Sequence, residues 1–306
     1  MSDGSIGVYG KVSTQGDFLR AGTADFARAG VDLWLEESMG VLKTERALLP
    51  EGAVGLLLAP PSAARAFLGA FAPSEDSVGR QFPLLVFLEL SSSAVAAALP
   101  FAATAFAPDF VRAAGELALA GRGLAAADLL AQLRELAAPA APAPLRGDES
   151  VAFAEAPTTS LRDALGGGPA ALAYALRTFC LACDQAAKAE ASSTGLTVDA
   201  PAPSSVVRAM WLELAGRRFR RAGSASPRAL LWNDGPAARL LVALGTPTSS
   251  MLAFWANPRH RSNRLWPLRT DVATAAAAAL AALTPGQRRV VEDPGASLGA
   301  LVGEFG

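Results

Sequence analysis

The chain has 306 residues, half of them apolar, with few charges and a net charge of −1. That length allows one large domain or two ordinary ones around a sizeable core, and near-neutrality gives no electrostatic reason to expect nucleic acid or an anionic membrane as partner. No apolar run reads as a bilayer-spanning helix, MSDGSIG lacks the features of a secretory signal, and two cysteines three apart cannot staple distant loops, so a soluble protein of the reducing cytoplasm is expected.

Ile6-Gly7-Val8-Tyr9, bounded by glycines, reads as a short strand. Thr23 is placed to cap a helix with Asp25 in its first turn, and Ala27, Val31, Trp34, Leu35, Ser38 and Leu42 follow at helical spacing, with Trp34 as anchor. Val54 to Ala59, stopped by Pro60-Pro61, reads as a buried strand. The run Phe82 to Leu90 is the strongest strand candidate, and its near-continuous hydrophobicity predicts a central strand covered on both faces. Alanine-rich helical patterns follow to Leu136.

Ala137 to Pro144 (AAPAAPAP) and Ser192 to Ser205 read as connectors. Between them, Val151 to Ala154 is expected as a strand and Ala170 to Glu190 as a helix. Past the second break come a helix over Val206 to Phe219, a hairpin of Arg228–Trp232 and Ala238–Leu244 around Asn233-Asp234-Gly235, and an alanine helix from Asp271 to Leu283. Interleaved strands and helices predict an α/β protein. The breaks divide it into 1–136, a helical middle at 137–203, and a 204–306 part expected to pack on the same sheet.

The first stretch to test for chemistry is GVYGKVSTQGDF, from Gly7 to Phe18. A phosphate loop needs glycine five positions before the Gly-Lys pair and serine or threonine directly after the lysine, but Ser5 and Val12 stand there. Gly7, Gly10 and Gly16 do not fit the dinucleotide fingerprint either, which leaves a strand-to-helix connection built on tight turns. Cys180 and Cys183 fall inside a predicted helix, on nearly one face, as small buried thiols; with one histidine in the chain, no zinc set is supplied. His260, flanked by Arg259, Arg261 and Arg264, reads as a solvated basic turn, with contact to an acidic partner or a phosphate as the alternative. Asp17, Glu75 and Asp76 lie in loops beside strands, where nothing nominates a nucleophile or a metal; Arg80 is expected to fix a loop through its guanidinium fork.

Two segments taken together carry a family resemblance. Gly10-Lys11-Val12-Ser13-Thr14-Gln15-Gly16-Asp17-Phe18 resembles the N-terminal signature of the TagF (ImpM) family, roughly GK-x-P-x-x-GDF, with Ser13 at the usual proline. Ser74 to Leu84 resembles its second hallmark, S-x-D-x-x-GR-x-[FY]-PL, on Ser74, Asp76, Gly79, Arg80 and Pro83. Trp34 falls where the family carries a helical tryptophan, and Leu230 to Gly235 is similar to its tryptophan-containing strand. The resemblance covers about the first 90 residues clearly. It implies a layered sandwich in which a central mixed β-sheet is flanked by α-helices. It also implies a cytoplasmic, non-enzymatic accessory protein of the type VI secretion system, a negative regulator linked to an FHA-domain scaffold protein, with no cofactor. A structural component of the same machine is the alternative, followed by a hydrolase using Asp17, Asp76 and Arg80. Asp17 and Arg80 are expected to build one loop surface, which either faces a partner or locks the fold.

Overall fold

The computed structural model describes residues 5–60, 64–91, 108–136, 154–188, 195–223, 227–235 and 238–306. The N-terminal part supplies β1 (Ile6–Gly10), β2 (Leu19–Ala21), α1 (Ala24–Arg28), α2 (Val31–Glu45), β3 (Val54–Leu58), β4 (Arg65–Ala72) and β5 (Leu84–Ser91). Then come α3 (Pro108–Gly121), α4 (Ala126–Glu135), α5 (Thr159–Ala164), α6 (Pro169–Lys188), β6 (Leu196–Pro201) and α7 (Ser205–Arg221). The hairpin β7 (Ala229–Trp232) and β8 (Arg239–Leu244) leads to α8 (Met251–Ala256), β9 (Leu265–Pro267), α9 (Ala273–Ala281), α10 (Pro285–Glu292) and α11 (Leu298–Phe305).

The nine strands of the described residues join one mixed sheet in the order β2-β1-β5-β4-β3-β7-β8-β6-β9. Every pairing is antiparallel except β6 with β9. Successive strand side chains point to opposite faces, and β5 shows the consequence. Leu84, Val86, Leu88 and Leu90 enter one buried cluster with α3, α4, α6, α7 and α9 to α11, while Leu85 and Phe87 enter another with α1, α2 and α8. The result is helices, sheet, helices: a three-layered α/β sandwich. With β1 and β4 on either side and helices over both faces, β5 is the doubly covered central strand that its hydrophobic run predicts. Each leucine or phenylalanine fully buried in these layers favours the fold by about 1.5–3 kcal/mol.

Four expectations need correction. The helix expected from Thr23 is two helices, because Gly30 takes a left-handed conformation (φ 73°) between them, and the Thr23 side chain makes no capping bond. Val31, Leu35, Ser38 and Leu42 do form the buried face of α2, but Trp34 is only half-buried beside it. The stretch Ser192 to Ser205 is not merely a connector, since Leu196–Pro201 is β6, paired with β8 along its whole length. His260 does not stand free in solvent: its ring lies 5.0 Å from that of Phe254, and its Nδ1 is 3.4 Å from Glu45 Oε2. The Ala137–Pro144 connector and Val151 to Phe153 lie outside the described residues, and Ala154 is helical. Cys180 and Cys183 are free and buried on α6; burial pushes the Cys180 thiol up to about 12 and raises that of Cys183 as well. Thiols so far from ionising are poor nucleophiles and poor metal ligands.

Candidate functional site

The loop after β1 and the loop before β5 meet at the end of the sheet, because β1 and β5 are direct neighbours. Asp76 is their common anchor. Its Oδ1 accepts from the backbone N–H groups of Val78 (3.0 Å) and Arg80 (2.9 Å), closing a tight turn of the kind short acidic side chains stabilise. Its Oδ2 accepts from Lys11 Nζ and from Arg80 Nε, each at 2.7 Å. Lys11 and Asp76 are both buried, whereas the Arg80 side chain is largely exposed. Removal from water is the largest single influence on the Asp76 carboxyl and raises its pKa. The bonds from Lys11, from the Arg80 backbone and side chain, and from Val78 together outweigh it and hold the group well below the usual carboxylate range.

The two loops are clasped by further bonds. Arg80 Nη2 donates to the Gly16 carbonyl (2.6 Å), Ser77 N to the Gln15 carbonyl (3.1 Å), and Ser74 Oγ to the Lys11 carbonyl (2.8 Å). Lys11 Nζ also lies 5.1 Å from the Phe18 ring centroid. Phe18 in turn stacks on Tyr9 and meets Phe82 edge-on. Gly10 approaches the Pro83 carbonyl so closely that a Cβ would overlap it, and its φ of 145° disfavours any side chain.

Gly10, Lys11, Gly16, Phe18, Ser74, Asp76, Gly79, Arg80 and Pro83 therefore converge on one clasp. Asp17 is exposed at its edge; the Arg80 guanidinium binds Asp76 and the Gly16 carbonyl, so the direct Asp17–Arg80 pair does not form. Trp34 belongs elsewhere, its Nε1 donating to the Thr248 carbonyl at 3.1 Å and tying α2 to the loop before α8.

Sequence reasoning missed the turn between α3 and α4. Ser13 N and Oγ both donate to the Arg122 carbonyl (2.9 and 3.0 Å), and Thr14 Oγ1 donates to the Leu124 carbonyl (2.8 Å). A proline at position 13 would lack the first of these donors, so the departure from the family pattern carries a bond of its own. Arg122 Nη1 reaches the Pro73 carbonyl (3.2 Å) and Glu51 (3.1 Å). No local signal announces a partner more than a hundred residues away in the chain. Among the described residues no group of three or more His, Cys, Asp or Glu could hold a metal ion, and no helix is long and apolar enough to cross a membrane.

Residues 7–136, which hold every residue of the clasp, match the family model described as the TagF N-terminal domain, Type VI secretion system-associated. That stretch is a TagF N-terminal domain. Among solved structures it is similar to the crystal structure of PA0076 from Pseudomonas aeruginosa PAO1, with 19% identity over 86% of this chain and 99% of that one, at a TM-score of 0.48. No curated protein sequence matches it. The match to this domain indicates a type VI secretion system-associated protein.

Proposed function

We propose that this protein is a non-enzymatic, post-translational negative regulator of type VI secretion, acting in the cytoplasm by docking onto an FHA-domain scaffold protein through the outer surface of the Asp76 clasp. The observation that supports this reading is the contrast between the inside of the clasp and its outside. Inside, the Asp76 carboxylate is taken up by four donors, which leaves it no role as a base toward a substrate and counts against the hydrolase reading. Outside, the turn that those bonds stiffen holds Val78 with 71% of its surface in water. Its base, Glu75 and Gln81, borders a cleft of about 450 Å3 whose wall includes Leu48, itself 68% exposed. A rigid loop presenting an apolar tip beside a shallow cleft suits a protein partner, because little ordering entropy is lost on docking.

Titration of the purified chain with the FHA-domain protein of its own secretion cluster tests this. A saturable complex is expected, weakened about tenfold or more by Val78→Asp or Leu48→Asp, with thermal unfolding of both variants unchanged. Absence of binding at high micromolar concentration, or binding indifferent to both changes, overturns the proposed docking surface.

A further inference from the structure

A second cleft, of about 480 Å3, lies between α3 and α7, and none of the residues lining it belongs to the clasp. Small residues keep it open, among them Gly55, Ala70 and Gly115. The Trp232 indole lies so close over Gly55 that a Cβ there would overlap the ring, and, only 3% exposed, it forms a buried aromatic floor to the cleft. Asn233 and Asp234, which follow Trp232, also line it.

Arg208 of α7 is the unusual member. Only 6% of its side chain is exposed, yet among the described residues its one ion pair is to Asp234 (Nη1 to Oδ1, 2.6 Å), whose side chain is 80% exposed. Its Nε is buried with no hydrogen-bond partner among the described residues. A buried arginine is normally satisfied along its fork, since an unpaired buried donor has lost its water without compensation. Here the counter-charge hangs at the surface on a single bond, and part of the fork is unused. Such a partner is easily exchanged.

We propose that this cleft binds a carboxylate-bearing ligand, which displaces Asp234 from Arg208 and seats its apolar part in the cleft above the buried Trp232 floor. Asp234 is then an internal placeholder. The exchange leaves the charge balance at Arg208 intact, because the incoming carboxylate takes over from one that swings into water. The other cation of the cleft, Arg112, is exposed and paired with Asp109 and Glu116 on α3, so Arg208 is the one of the two whose buried donor is left unmet. The planar guanidinium fork matches a carboxylate in two-point geometry. The carboxylate has two possible sources, a free small acid or the chain end of a partner polypeptide. This inference does not depend on the docking role of the clasp.

The test uses the full chain and tryptophan fluorescence at low salt. The probes are phenylacetate and acetyl-Gly-Gly-Phe, each compared with its amide. Saturable quenching by a carboxylate but not by its amide is expected. Response to phenylacetate alone assigns a free acid, and response to the peptide alone assigns a chain end. Asp234→Asn, a surface change that should leave folding intact, is expected to tighten binding about tenfold by removing the competing carboxylate. Trp232→Phe should lose most of the signal, and Arg208→Lys should lose the affinity. The proposal is overturned if the amides bind equally, if Asp234→Asn leaves affinity unchanged, or if no probe saturates by about 10 mM, beyond the millimolar range of a real small-ligand site.

Discussion

At the scale of single residues, Asp76 ties more of the site together than any other side chain, joining two loops through Lys11, 65 residues away in sequence, and closing its own turn through Val78 and Arg80. The protonated acid can accept fewer of those bonds, so its native carboxyl titrates below the value it has in the unfolded chain. A depressed pKa contributes stability that is complete above the unfolded value and is lost as pH falls through the native one. Between about pH 4 and pH 2, the wild type should therefore lose stability more steeply than Asp76→Asn, which has no such proton to take up. Urea denaturation at stepped pH measures the two slopes, and equal slopes would show that the clasp does not depend on the ionised carboxylate. The sequence alone identified most members of this cluster, because the residues sit in two short motifs. The sequence left the carboxylate under the Arg80 guanidinium open among Asp17, Glu75 and Asp76; the turn closed by Asp76 brings its own carboxylate there, four residues away, while the guanidinium reaches across to Gly16, next to Asp17.

At the scale of elements, two of the three motif glycines answer to different constraints. Gly10 ends β1 with both a positive φ and the Pro83 carbonyl in the place of a Cβ, whereas Gly79 has a positive φ (79°) but open space around it. Alanine at Gly79 should cost only the backbone strain, about 1–2 kcal/mol. Alanine at Gly10 adds overpacking against β5 and should cost roughly 2–5 kcal/mol. Chemical denaturation of the two variants provides the comparison, and similar losses would mean that β5 yields to the new methyl group. The strands themselves differ in how openly the sequence declares them. β3, β5 and the β7–β8 hairpin are dense in large apolar residues and were legible. β4 and β6 were not. β4 spends Ala66, Gly69, Ala70 and Ala72 on close packing, with α3 laid against the sheet at Gly115 beside Ala53 and Ala70, and such small residues carry little strand preference. β6 contains Asp199 and ends in Pro201, composition that reads as a loop. Its Asp199 is satisfied by a two-point ion pair with Arg239 of β8, a long-range partner invisible to local pattern.

At the scale of the whole molecule, the family match ends at residue 136 but the sheet does not. β3 is paired on one side with β4 and on the other with β7, from Gly55 opposite Trp232 to Leu58 opposite Ala229. The N-terminal strands thus share their hydrogen-bonded edge, and both buried clusters, with elements beyond residue 200. A fragment ending at residue 136 would keep β2-β1-β5-β4-β3 but bare the β3 edge, where Leu56, Leu57 and Leu58 are almost wholly buried in the full chain. It would also lose α6 and α7 from one face and α8 from the other. Long apolar edges without a cover pair with other chains, and the helices left behind cannot close either layer. The 1–136 fragment is therefore expected to be insoluble or to sediment as large oligomers, while the full chain stays a discrete species at the same concentration. Sedimentation velocity with circular dichroism decides the matter. A monomeric fragment that unfolds cooperatively would mean that the N-terminal strands hold their shape without β7, and that the clasp rests on a self-sufficient domain instead of on a sheet completed from the other half of the chain.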